Sequence, residues 1–198
     1  MKTVRIDKND VGKYVKIVAD AIKNGKVIVA PTDTVYGLIA DAMNKKAVER
    51  VFKIKKREKG NPLPIFVKDI KMAKKFVHID KNQEKILKSV WPGKVTVVLK
   101  SKIKNQKSKI YGVSKNTIAL RIPKYNFINK LLGAASFPLT GTSANISGKP
   151  SSTKIKEIIK QFKGQKYQPD LFIDAGNLKK SLSSIIVDIT SEEIKILR

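Results

Sequence analysis

An open, twisted sheet of mixed strand direction with flanking helices, in one α/β domain spanning residues 1–198, is the architecture this sequence predicts. Short apolar runs of strand length alternate with longer segments whose apolar residues recur at helical spacing. No internal repeat and no low-complexity linker divides the chain. With 198 residues, 41% hydrophobic and 29% charged, the chain can bury one substantial core.

The elements follow in order. Val11, Val15, Val18, Ala19 and Ile22 share one face of a helix over residues 10–23, which Gly25 stops. Residues 26–30 form a buried strand, and Pro31 ends its hydrogen-bonding ladder. Asn44 caps a helix through Val48, Val51, Phe52 and Ile54; the sequence KGNP at 59–62 breaks it, and residues 63–67 read as a short strand. Helices at 69–76 and 82–90 are separated near Asp80, and Val95, Val97 and Leu99 alternate through a strand at 94–100. Residues 101–115, polar and lysine-rich, read as a mobile surface loop or hairpin placed to cover a site. A strand at 117–122, a helix at 125–132 and a short strand at 139–140 lead into a turn at Ser143 to Asn145. Thr153 caps a helix over 155–162 that Gly164 ends, and strands at 171–173, 184–189 and 193–197 complete the chain.

Two segments concentrate chemistry. The sequence PTDTVYGL at 31–38 leaves a strand and at once presents two threonine hydroxyls, a carboxylate and a phenol on a turn closed by Gly37. Alone, it reads equally well as a capping turn and as a ligand-binding strand end. PLTGTSANISGKPSST at 138–153 repeats the arrangement, an apolar entry followed by hydroxyls, an amide and glycines, and tips the balance towards a ligand.

Composition bounds the rest. The absence of Cys excludes disulfides and thiol catalysis, and a single histidine, His78, excludes a multi-His metal site. No apolar stretch approaches the roughly 20 residues of a membrane helix, and the N-terminus has no signal-peptide core, so a cytoplasmic protein with no membrane partner is expected. The excess of 42 Lys+Arg over 16 Asp+Glu, +26 in all, favours polyanions such as tRNA or double-stranded RNA, and is equally explained by lysine filling solvated faces. Only five residues are arginine: Arg5, Arg50, Arg57, Arg121 and Arg198. In so lysine-rich a chain, a planar, always-charged fork marks demanding positions, suited to carboxylate or phosphate.

Five segments in order, covering nearly the whole chain, resemble the YrdC family of threonylcarbamoyl-AMP synthases in its short, single-domain form. They are residues 31–38, the Lys55-Lys56-Arg57 triplet leading to Asn61-Pro62-Leu63, Trp91-Pro92-Gly93 with Thr96, ALRIP at 119–123, and residues 142–151. The resemblance implies a reaction of L-threonine, bicarbonate and ATP, with Mg2+, giving threonylcarbamoyl-AMP and pyrophosphate for tRNA modification. It also implies a separate threonylcarbamoyl transferase complex downstream. By the same resemblance, Lys55 and Arg57 are the catalytic phosphate-holding pair. Asn61, Thr117, Asn145, Thr153 and Arg198 join them in binding ATP, while Thr34, Arg121, Ser143 and Ser184 surround threonine. Lys56 reads as solvated, Thr153 equally as a helix cap, and Thr32 and Tyr36 as shaping the turn. Trp91 is assigned to architecture and His78 to a structural or exposed role; no metal ligand is assigned.

The chain departs from that family at two positions. Phe66 stands where many relatives carry histidine, after an unusual Pro64, and Ile185 follows Ser184 where threonine is common. An RNA-binding module of the same fold without synthase activity is the competing reading.

Overall fold

The computed structural model describes residues 2–6, 11–103 and 110–198. Among these, eleven strands and six helices alternate: β1 Lys2–Arg5, α1 Val11–Lys23, β2 Ile28–Ala30, β3 Gly37–Ile39, α2 Lys45–Lys55, β4 Ile65–Phe66, α3 Ile70–Ala73, α4 Lys81–Val90, β5 Val95–Lys100, β6 Thr117–Arg121, α5 Asn126–Ala135, β7 Leu139–Thr140, β8 Thr142–Ser143, α6 Ile155–Phe162, β9 Leu171–Asp174, β10 Ile185–Asp188 and β11 Lys195–Ile196.

The strands pair as two mixed sheets where the sequence suggested one. The first has the order β1-β9-β2-β3-β8 and the second β11-β10-β5-β6-β4-β7. The division falls at Gly141. On one side, Leu139 and Thr140 run antiparallel to β4; on the other, Thr142 and Ser143 run antiparallel to β3. One short stretch therefore belongs to both sheets, and Thr140 stitches them further: its amide donates to Ala40 O, and its hydroxyl donates to Leu38 O while accepting from Ala40 N.

The first sheet is covered on both faces. Val27, Val29, Leu38 and Phe172 pack against Val48, Phe52, Ile158 and Phe162 of α2 and α6. Ile28, Ile39, Leu171 and Ile173 pack against α1 and α5. This double burial explains the continuous apolar run at 27–30. The second sheet alternates instead. Val97, Leu99, Ile118, Leu120 and Ile65 enter a core with Leu87 and Trp91, so that Val98, Ala119, Arg121 and Phe66 face the other way, into a cavity.

Side-chain caps set several boundaries. Asn44 accepts from Ala47 N, Asp69 from Met72 N, and Asp80 forms a reciprocal box with Gln83. The expected Thr153 cap is replaced: Lys154 occupies that position without a side-chain bond, and the neighbouring Ser152 hydroxyl accepts from Lys154 N. β1 escaped the sequence reading because its four residues are largely exposed; it is held by parallel pairing with β9. Gly37 opens β3 and does not close a turn, since β3 pairs antiparallel with β2 across residues 31–36. Within the lysine-rich segment, residues 104–109 lie outside the described residues. The described stretch that follows packs inward: Tyr111 N donates to Ala42 O and Gly112 O accepts from Leu63 N.

Candidate functional site

A cavity of about 300 Å³ opens where the two sheets meet. Its walls are strand ends and the loops that leave them, as in other α/β ligand sites. Thr32, Thr34 and Tyr36 come from the loop after β2, Thr142 and Ser143 from β8, Ala119 and Arg121 from β6, and Ser184, Leu197 and Arg198 from the C-terminal strands. Three of the five arginines, Arg57, Arg121 and Arg198, line it, and among the described residues no Asp or Glu side chain does.

Arg121 is 3% exposed and tightly held. Its Nε donates to Gly93 O at 2.8 Å, Nη2 to Asp33 Oδ1 at 2.6 Å, and Nη1 reaches Thr34 Oγ1 at 3.4 Å. Asp33 also accepts from Lys124 N at 3.0 Å. Asp33 supplies this ion pair from a loop 88 positions away, a distance at which no local pattern signals pairing. Burial lowers the Arg121 pKa and Asp33 opposes that shift. Of the five guanidinium N–H groups, at least one on each terminal nitrogen has no partner among the described residues and can meet a ligand.

The hydroxyl loop is internally wired. Thr32 Oγ1 donates to Val35 O at 2.6 Å and accepts from Thr34 N at 3.1 Å. The Thr34 hydroxyl is then the donor across their 3.1 Å contact. The Tyr36 hydroxyl bridges Gly176 O and Ala175 N, and its burial raises its pKa.

Lys55 and Asn145 are bonded to one another and to the turn they share. Lys55 is 2% exposed, and its Nζ donates to Ser143 O at 2.6 Å, Asn145 O at 2.9 Å and Asn145 Oδ1 at 3.0 Å. All three ammonium protons are thus committed to the Ser143–Asn145 turn, and phosphate would have to displace them. Burial, then the nearby Arg57 charge, pushes Lys55 down to about 7. Three close acceptors favour the ammonium form and oppose that shift. Asn145 is equally occupied: Oδ1 accepts from Lys55 and from Ser143 Oγ, while Nδ2 donates to Ile146 O and Lys149 O. Both residues hold the turn. Ser147, not singled out from sequence, carries a buried hydroxyl without a partner among the described residues.

Arg57 donates from Nε to Asn61 O and from Nη2 to Pro62 O, and its remaining donors have no partner among the described residues. Burial lowers its pKa, with the charge of Arg198 adding to the effect. Arg198 in turn donates to Ser184 O at 3.3 and 3.0 Å. Ser184 Oγ and Thr96 Oγ1 lie 2.9 Å apart. Asn61, Thr117 and Thr153 fall outside the cavity lining. Asn61 is exposed beside Glu58, Thr117 begins β6 on the cavity face beyond Ala119, and Thr153 O accepts from Leu178 N. Phe66 stands in the wall with its ring centroid 5.8 Å from the Arg121 guanidinium carbon.

A larger cavity, about 710 Å³, lies around His78, Gln83, Lys100 and Thr190 and contains none of the expected site residues. His78 is exposed, with its amide bonded to Lys100 O. Among the described residues no group of three or more His, Cys, Asp or Glu could hold a metal, and no helix is long and apolar enough to cross a membrane.

Two mixed sheets meeting at a small, hydroxyl-lined, arginine-rich cavity define an α/β protein built for a compact anionic ligand. Comparison with known proteins specifies that class. A family model, Sua5/YciO/YrdC, described as "Telomere recombination", matches residues 20–198. A protein of Methanocaldococcus jannaschii is 36% identical over 198 residues, covering all of this chain and 91% of its own. A Pyrococcus abyssi protein named threonylcarbamoyl-AMP synthase is 33% identical over 186 residues; the chain spans 53% of it. The crystal structure of P. abyssi Sua5 complexed with L-threonine superposes with a TM-score of 0.85 at 32% identity, covering all of this chain and 56% of that one. Escherichia coli YciO shares the fold, with a TM-score of 0.84 at 23% identity. The chain belongs to the Sua5/YciO/YrdC family.

Proposed function

We propose that this protein is an L-threonylcarbamoyladenylate synthase, a nucleotidyltransferase acting on L-threonine, bicarbonate and ATP. The convergence of Arg57, Arg121 and Arg198 on one cavity carries the reading. Relatives that bear the synthase name, and the threonine complex of the P. abyssi protein, support it.

The chemistry asks for positioning and charge neutralisation and for no protein nucleophile. Threonine's amine captures bicarbonate as a carbamate, with loss of water. A carbamate oxygen then attacks the α-phosphorus of ATP; the bond to the β-phosphate oxygen breaks, and pyrophosphate leaves. Magnesium enters as the counter-ion of ATP.

Arg121, fixed by Asp33 and Gly93, presents its free N–H groups to the threonine carboxylate, with the Thr34 hydroxyl beside it. Arg57 and Arg198 have no carboxylate within ion-pair distance among the described residues, and they take the phosphates. Their mutual repulsion is relieved when a polyanion binds between them. Lys55 and Asn145 keep the Ser143 turn in place. The labile adenylate is consumed by a separate transferase acting on tRNA.

Purified protein incubated with ATP, magnesium, bicarbonate and each amino acid in turn, with pyrophosphatase, should form a threonine- and bicarbonate-dependent adenylate detectable by mass spectrometry. Folded Arg57→Ala should not. An absence of any threonine-dependent AMP derivative from folded wild-type protein rejects the reading.

A further inference from the structure

Phe66 and Gly141 come from different strands of the second sheet and its exit, and they fit together as one object. Phe66 is 2% exposed. Its ring lies against the bare Cα of Gly141: a Cβ at that position would meet the ring at Cε1, and would lie 2.5 Å from Cδ1 and 2.9 Å from Cγ. Gly141 does not adopt the left-handed backbone conformation that glycine alone favours, so the neighbouring ring, not the backbone, demands glycine there. The same ring borders the Arg121 guanidinium and lines the cavity. Displacing it would therefore disturb both the clamp and the space beside it.

We propose that Phe66 and Gly141 are a matched pair that determines which amino acid the cavity accepts. The ring fills room that only glycine at 141 leaves, and presents an apolar wall beside Arg121. This rests on the assignment of Arg121 to the amino-acid carboxylate. An amino acid held there has its Cβ two bonds from the carboxylate carbon, within reach of the wall. A phenyl ring favours a methyl group against it and offers no donor or acceptor to a hydroxyl. The pair thus selects a methyl-bearing side chain, threonine over serine, and sets the guanidinium through cation–π contact. Phe66 is a specificity residue and Gly141 positions it.

The test uses the full chain, with calorimetric titration of L-threonine and L-serine alongside the adenylate assay. Wild type should prefer threonine by about 10- to 200-fold, the range one methyl group provides in a pocket. Phe66→Leu should shrink that ratio several-fold and raise the threonine KM more than it lowers kcat. Gly141→Ala should weaken threonine binding, and Phe66→Ala/Gly141→Ala should regain part of that loss, because alanine removes the Cγ, Cδ1 and Cε1 atoms that the new methyl group would meet. If Gly141→Ala does not fold, the double variant should fold again by thermal melting. An unchanged threonine-to-serine ratio in Phe66→Leu, or a double variant no better than Gly141→Ala, overturns the proposal. A wild type that binds threonine but makes no adenylate rejects the synthase reading alone, and the pair is then judged by titration. A wild type that binds no amino acid overturns it.

Discussion

The cavity has two sides built on opposite physical terms. On the inner side, around Arg121 and the turn held by Lys55, charged and polar groups are almost fully buried and nearly every one is paired within the protein. On the outer side, Arg57 and Arg198 are half-buried or exposed, bonded among the described residues only to backbone carbonyls, and close enough for Arg198 to lower the pKa of Arg57. The inner side fixes geometry before ligand arrives. The outer side holds like charges that a bound anion stabilises. Folding and binding should therefore respond to different residues of one site.

Asp33→Ala breaks the inner side most directly. It leaves Arg121 buried without its acid, at a cost of about 3–5 kcal/mol, read as a lower denaturant midpoint with an unchanged slope. Lys55→Met is next. At least one buried acceptor of the Ser143–Asn145 turn loses its donor, costing about 1–3 kcal/mol and lowering Tm by several degrees. If either variant melts like wild type, the inner side is not the scaffold described.

Arg57→Ala and Arg198→Ala should behave in the opposite way. Their stabilities should stay within about 0.5 kcal/mol of wild type, while ATP affinity, measured by calorimetry at low salt, falls by about tenfold or more as a charge-assisted hydrogen bond is lost. A large loss of stability with ATP affinity intact would erase the distinction.

The smallest effect belongs to Asp170, which accepts from Val27 N at the entry to β2 and pairs with Arg50 at 2.8 Å. Burial pushes its pKa up, but the Arg50 hydrogen bond and the Val27 amide bring the net value below the ordinary 3.8. A carboxyl depressed in the folded state contributes stability that is complete above the unfolded pKa and lost as pH falls through the folded one. Acid titration of Tm below about pH 4 should be shallower in Asp170→Asn than in wild type.

Much of this was legible in sequence, and the particulars show why. The helices over Lys45–Lys55 and Lys81–Val90 announce themselves through caps and apolar spacing, and that over Ile155–Phe162 through apolar spacing, all of which are local. The alternation at 95–99 is local too, and it separates the core face of β5 from its cavity face. Arginine scarcity marked all five arginines because composition is visible without structure, and the family resemblance singled out Arg57, Arg121 and Arg198 among them. Asp33 as the partner of Arg121, and the turning-in of Lys55 onto Asn145, depend on contacts 88 and 90 positions apart. The split into two sheets was hidden for another reason: β7 and β8 have two residues each, too few for periodicity to register.

The stretch shared by the sheets also makes the protein its own strain gauge. Around Gly141, the Thr140 amide donates to Ala40 O, the Gly141 amide to Pro64 O and the Ala144 amide to Tyr36 O. Neighbouring protons along one backbone therefore report on opposite halves of the molecule. If the halves part as a unit, these amides should exchange with deuterium at one common rate; if each half breathes alone, Gly141 will keep a different clock from Thr140 and Ala144.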